Sequence, residues 1–178
     1  MTLSAIDVPN RKVRETFQVG KRIEGLAVTP DGREVWVGGN DSQSVLVLNG
    51  QTGVIEHTLT GFGTAYRVGI TPDGKTAIIS DPGAERIHLF DVATHKLKGV
   101  IDVPKMEGVH GLAPQGSSPQ GSSPQGVTIS RDGKTAFVTL KASAKIAVVD
   151  IASAKIVSTL PVGAGSDGIG FSPITAKH

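Results

Sequence analysis

The side chains able to do covalent or metal chemistry are few and poorly spaced for it. There is no cysteine, and the five histidines fall at His57, His88, His95, His110 and His178, so thiolate catalysis and cysteine-ligated metals are excluded together. No His-x-His or His-Glu-x-x-His spacing occurs to place two imidazoles on one metal. His110 with Met106 and Glu107 makes at most a weak soft-metal set on a glycine-rich tract. Gly165-Ser-Asp-Gly-Ile-Gly170 resembles a phosphate-cradling loop, but no helix follows to present its positive end, so it reads as turn chemistry. Ser166 has no identifiable base. An enzyme needs an activated nucleophile, a tuned acid or base, or an open metal position. No catalytic residue is therefore assigned, and neither a metal nor a cofactor is expected.

What remains is a supply of polar and charged groups suited to non-covalent recognition. Eighteen Lys and Arg against 16 Asp and Glu give a net charge of +2, and no run of five like charges occurs. Neither a nucleic-acid footprint nor a polybasic membrane contact is supported. No stretch approaches a membrane-spanning apolar run, and residues 1–7 lack the basic and apolar regions of a signal peptide. The length of 178 residues suits one domain. Val and Ile total 34 against 10 Leu, a bias toward β-branched side chains that fit a pleated sheet and crowd a helix. The expected class is all-β.

Elements able to position these groups emerge when the chain is compared with itself. Gly25-Leu-Ala-Val-Thr-Pro-Asp-Gly32 recurs as Arg67-Val-Gly-Ile-Thr-Pro-Asp-Gly74, as Gly126-Val-Thr-Ile-Ser-Arg-Asp-Gly133 and partly as Gly168-Ile-Gly-Phe-Ser-Pro173. The steps from Val28 to Ile70 to Ile129 to Phe171 are 42, 59 and 42 residues. A second marker, the polar residue closing an apolar strand, falls at Asp7, Asn49, Asp91 and Asp150 with steps of 42, 42 and 59. Both markers describe a 42-residue period carrying one 17-residue insertion.

Each period reads as four short strands, A to D. In the second, Tyr66 to Thr71 is strand A, Pro72-Asp73-Gly74-Lys75 a tight turn and Thr76 to Ser80 strand B. Arg86 to Asp91 is strand C and Leu97 to Val103 strand D. Pro presets φ for the turn and Gly supplies positive φ. Ala77-Ile-Ile79 and Ala147-Val-Val149 run apolar instead of alternating, as strands buried on both faces do. Four antiparallel strands per period of about 40 residues match a propeller blade rather than a sandwich or a helical repeat.

The Pro-Asp-Gly-Lys hairpin followed by a short apolar strand resembles the YVTN-type β-propeller repeats of bacteria and archaea, within the wider WD40-like superfamily. Here the eponymous strand stands as Val35-Trp-Val-Gly-Gly-Asn40, Ala77-Ile-Ile-Ser-Asp81 and Ala136-Phe-Val-Thr-Leu140. The resemblance implies a β-propeller of four-stranded blades in which residues 23–64 form one blade, and 65–104 and 124–165 two more. Residues 1–22 supply strands C and D of a fourth blade and 166–178 its start, so that blade is split between the ends of the chain. Residues 105–123, with a duplicated Gly-Ser-Ser-Pro-Gln, read as a flexible insertion. Two arrangements stay open: a four-bladed ring closed by its own ends, or part of a larger ring completed by further sequence or by self-association.

The same resemblance places ligands at the D-to-A and B-to-C loops, around one mouth of the central channel. Those positions are Glu24, Tyr66, Arg67, Gln125 and Asp167 before strand A, and Asp41, Asp81 and Lys141 after strand B. The leading expectation is a non-enzymatic scaffold or recognition module that binds a protein, a polymer or a small polar ligand at this rim. A lactonase-like hydrolase, a quinoprotein dehydrogenase accessory subunit and a repeat segment without autonomous function are the alternatives. The resemblance also implies a periplasmic or extracellular setting.

Overall fold

The computed structural model describes residues 1–105 and 121–172. Those residues form fourteen strands and one short 3-10 turn, Lys141–Ser143. β1 (Thr2–Asp7) pairs with β2 (Lys12–Gln18). Blade 1 comprises β3 (Ile23–Val28), β4 (Glu34–Gly39), β5 (Ser44–Asn49) and β6 (Ile55–Leu59). Blade 2 comprises β7 (Val68–Ile70), β8 (Thr76–Asp81), β9 (Arg86–Asp91) and β10 (Leu97–Asp102). Blade 3 comprises β11 (Pro124–Ile129), β12 (Thr135–Leu140), β13 (Lys145–Asp150) and β14 (Lys155–Pro161). Within each sheet every strand pairs antiparallel with its sequence neighbour. The architecture is the propeller expected from the repeats, with the fourth repeat divided between β1–β2 and the C-terminal segment.

The period in sequence becomes a period in hydrogen bonds. In the A-to-B turn of blade 2, the Thr71 hydroxyl donates to Asp73 Oδ1 at 2.6 Å. The same carboxylate oxygen accepts the Lys75 N–H, and Thr71 Oγ1 accepts the Thr76 N–H. Thr29 with Asp31 and Ser130 with Asp132 build the identical pair in blades 1 and 3. These bonds from hydroxyl and backbone hold all three carboxyls below the ordinary aspartate range. At the C-to-D turns, Asp7, Asn49, Asp91 and Asp150 each accept a backbone N–H from three residues ahead, the Asx turn that stops strand C.

Packing between blades explains the apolar runs. Ala77 and Ile79 of β8 join the seam with blade 1, which also holds Trp36, Val45, Val47 and Phe90. Ile78, between them on the same strand, points the other way into the seam with blade 3, beside Ile87, Leu89, Ala136, Val138 and Val149. A third seam sets Val19, Leu3 and Phe17 of the β1–β2 unit against Val37 and Leu48 of blade 1. Each fully buried side chain of this size contributes roughly 1.5–3 kcal/mol from area removed from water, so the seams rather than the hairpins hold the repeats together.

Two segments differ from their sequence assignments. Strand A of blade 2 shortens from Tyr66–Thr71 to Val68–Ile70, because Tyr66 and Arg67 both bond the backbone of the one residue Ser80, a bulge that interrupts the regular ladder. No strand forms at 166–172, and residues 173–178 lie outside the described residues. Most of the insertion, 106–120, also lies outside them. Its last residues are anchored, since Glu85 Oε2 accepts the Ser122 and Ser123 N–H groups at 2.7 and 2.9 Å.

Candidate functional site

Antiparallel topology brings the D-to-A connections and the B-to-C loops to the same end of every blade. One residue per repeat stands there, Glu24 and Gln125 as the second residue of β3 and β11 rather than ahead of strand A as expected, Tyr66 and Asp167 outside any regular strand, all spaced as the repeats are. Hydroxyls on the preceding blade fix their backbones. Ser80 Oγ donates to the Gln125 carbonyl at 2.6 Å, and Thr139 Oγ1, one repeat on, to the Asp167 carbonyl at 2.7 Å. The approach is close enough to require glycine beside it. A Cβ on Gly25 would lie 2.6 Å from the Tyr66 carbonyl oxygen, and one on Gly126 would lie 2.0 Å from that of Asp167. Arg67 occupies the repeat position that Gly25, Gly126 and Gly168 fill elsewhere.

That substitution builds the site. The Arg67 guanidinium donates through Nη1 to the Glu24 carbonyl of blade 1 and reaches across to Asp167, with Nη2 3.9 Å from Oδ1. It also sits over the Tyr66 ring, 4.9 Å from its centroid. The Tyr66 hydroxyl donates to Asp167 Oδ2 at 3.1 Å, and Lys141 Nζ lies 3.7 Å from the same oxygen. Burial, then the negative charge and hydrogen bond of Asp167, push the Tyr66 phenol above its ordinary range, so it stays a donor. Arg67, Lys141 and Asp167 each keep about a third of their side chain exposed. Three polar atoms in this region, Gln125 Oε1, Ser166 Oγ and Asp167 Oδ1, are buried without a hydrogen-bond partner. Buried polar atoms are ordinarily paired, so this set has unused capacity.

Of the eight rim residues expected from sequence, the structure joins Tyr66, Arg67, Lys141 and Asp167 directly. Glu24 takes part through its carbonyl, and Gln125 lies between its neighbours with its amide donating to Ser123 Oγ. Two belong elsewhere. Asp41 forms a solvent-exposed pair with Arg22 at 3.5 Å. Asp81 is wholly buried; its oxygens accept the Gly63, Thr64 and Ala84 N–H groups and His88 Nε2, which leaves it nothing to offer a ligand. Ser166, set aside in the sequence for want of a base, precedes Asp167 directly and has a buried hydroxyl without a hydrogen-bond partner. At the opposite end of the blades, a cavity of about 310 Å³ is lined by Thr29, Asp31, Arg33, Glu34, Asp73 and Val92. Its two aspartates are already bound within their own turns. Among the described residues no group of three His, Asp or Glu is placed to hold a metal ion.

The YNCE-like beta-propeller family matches residues 101–173, a span shorter than half the chain. Among solved structures, the chain is similar to the Kuenenia stuttgartiensis hydrazine synthase, at 26% identity and a TM-score of 0.71. The alignment covers 89% of this chain and 42% of that one, so the chain spans less than half the length of its structural relative. No curated protein matches the sequence. Matches to 945 chains of solved structures reflect a fold that carries many unrelated functions, so the fold alone assigns none. The repeated hydroxyl–carboxylate turns, the face-to-face four-stranded sheets and both comparisons agree on one assignment: the chain is a β-propeller repeat protein.

Proposed function

We propose that this protein is a non-enzymatic recognition module that binds a polar ligand, either a small molecule or an exposed segment of a protein or polymer, at the channel rim. The observation that carries this reading is the convergence of Tyr66, Arg67, Lys141 and Asp167 from three successive repeats, with buried acceptors beside them left unpaired. Asp167 is engaged by Tyr66, Lys141 and Arg67, so it serves as a fixed charge rather than a free base. Arg67 and Lys141 offer donors to a carboxylate, while the part-exposed Asp167 carboxylate offers a negative charge to an ammonium. The arrangement suits a dipolar ligand carrying both signs of charge, for which opposite charges in fixed positions give orientation as well as affinity.

Free amino acids and short dipeptides are the simplest probes. Thermal-shift titration at constant ionic strength is expected to show a saturable rise in Tm with a subset of them. The rise should disappear in Arg67→Ala and Asp167→Asn while both variants keep the wild-type circular dichroism spectrum. Absence of a saturable shift with every probe, or shifts unchanged in both variants, would count against the reading.

A further inference from the structure

The C-to-D turns of the four repeats share one design, and blade 1 departs from it. Asp7, Asp91 and Asp150 are followed by Val8, Val92 and Ile151, whereas blade 1 carries Asn49 followed by Gly50. Packing requires that glycine. A Cβ on Gly50 would lie 2.1 Å from the Gly32 carbonyl oxygen in the A-to-B turn of the same blade. The other asparagines are Asn10, which precedes Arg11, and Asn40, which precedes Asp41, so blade 1 holds the single Asn-Gly step of the chain. A glycine has no Cβ to hinder its backbone nitrogen from approaching the preceding side-chain carbonyl, and it rotates freely enough to do so.

We propose that Asn49 is a self-modifying site, converted through a cyclic imide to aspartate and isoaspartate, and that local opening of its turn sets the rate. The Gly50 nitrogen attacks Asn49 Cγ. A C–N bond forms, the Cγ–Nδ2 bond breaks, and Nδ2 leaves as ammonia with the proton from Gly50. Water then opens the imide. Cleavage between Gly50 N and Cγ leaves aspartate; cleavage at the main-chain carbonyl of residue 49 leaves isoaspartate, with the backbone rerouted through Cγ. The folded turn both prepares and restrains the first step. Asn49 Oδ1 accepts the Gln51 and Thr52 N–H groups, each at 3.0 Å, and such donors stabilise the negative charge that develops on the oxygen during attack. Against this, the Gly50 N–H is held by the Arg33 carbonyl at 2.6 Å, and Asn49 Nδ2 donates to Glu56 Oε1 at 3.0 Å. Nucleophile and leaving group are both fixed until the turn opens. Gln51 and Thr52 are exposed, and a solvated turn opens at lower cost than the whole fold. Aspartate matches the other three repeats and keeps the acceptor of the turn. Isoaspartate adds a backbone atom ahead of β6, whose His57 stacks on His95 of blade 2 at 4.1 Å, and so disturbs the seam between the blades.

The test is peptide mapping by mass spectrometry of the full chain, incubated at mildly alkaline pH either folded or unfolded in urea, with chromatography separating aspartate from isoaspartate. Asn49 is expected to convert in both states, and about tenfold to a thousandfold more slowly in the folded chain, the span of a local opening. Asn10 and Asn40 should lag well behind it. Glu56→Ala releases the leaving amide at an exposed position. It should raise the folded-state rate by at least about threefold while leaving the rate in urea and the circular dichroism spectrum unchanged. Four results overturn the proposal: no conversion at Asn49 in urea; a folded rate within tenfold of the unfolded one; a folded rate slower than the stated range, which would tie the reaction to global unfolding; or a folded rate unmoved by Glu56→Ala.

Discussion

Replacing Asp81 by alanine is expected to lower stability by about 3–5 kcal/mol, the range for removing one partner from a buried charged network. The carboxylate is fully buried in blade 2. It accepts the Gly63 and Thr64 N–H groups at 2.9 and 2.7 Å, the Ala84 N–H at 3.0 Å and His88 Nε2 at 3.2 Å. Gly63 and Thr64 belong to the connection arriving from blade 1, so this one side chain ties the inter-blade crossing to the B-to-C loop beneath it. Alanine strands three backbone donors and one imidazole away from water. Asparagine keeps one acceptor oxygen and should cost clearly less.

The same residue sets a pH dependence whose direction is fixed by its bonding. Burial by itself raises the Asp81 carboxyl, but the bonds from His88, Thr64, Gly63 and Ala84 outweigh it and leave the group below its ordinary value. A carboxyl held lower in the folded than in the unfolded chain contributes stability above its unfolded pKa, near 4, and loses it as pH falls through the folded value. Urea denaturation at neutral pH and near pH 3 should therefore show a smaller gap between Asp81→Asn and wild type in acid. A gap that stays constant or widens would assign the effect of Asp81 to shape rather than charge.

Trp36→Ala is expected to cost a similar amount, about 3–5 kcal/mol, through lost burial and the cavity left behind. Trp36 is fully buried in the seam between blades 1 and 2. Its Nε1 donates to Glu34 Oε2 at 2.8 Å, while Glu34 Oε1 accepts His95 Nε2 from blade 2 at 2.9 Å. The indole thus fills the seam and also orients the carboxylate that bridges it. Phe137→Ala, at the same repeat position but on the half-covered face of blade 3, should cost markedly less. Far-ultraviolet circular dichroism in urea measures both, since the substitution removes the sole tryptophan. Equal costs would mean that the seam adds nothing to burial at this position.

Most of the fold was legible in the sequence because turn chemistry is local. Thr71, Asp73 and Gly74 specify their hairpin without reference to anything distant, and their recurrence set the period, the strands and the insertion. The pairing of Tyr66 with Asp167, 101 residues apart, is not local. Repeat alignment placed both at one rim but not in contact. Asp81 was misplaced for the same reason: it closes strand B at the rim end of its blade, where Leu140 stands one repeat on, and only the third dimension shows the Gly63–Thr64 backbone folding over it. A signal for its role existed in His88, which stands where Leu46 and Ala147 occupy the other blades. The sharpest signal for the site was Arg67 at a position where the other repeats carry glycine, a bulky cation where in blades 1 and 3 the following backbone leaves no room for a side chain.

Tyr66 is the single tyrosine of the chain, so its ionisation can be followed directly by ultraviolet absorbance, and that titration tests the central claim that radially stacked repeats bring residue 167 against residue 66. The phenol should titrate above its ordinary value of about 10 in the wild type. In Asp167→Asn, which removes the neighbouring charge, the midpoint should fall toward that value. Identical midpoints near 10 in both proteins would contradict the contact, and with it the arrangement of the rim.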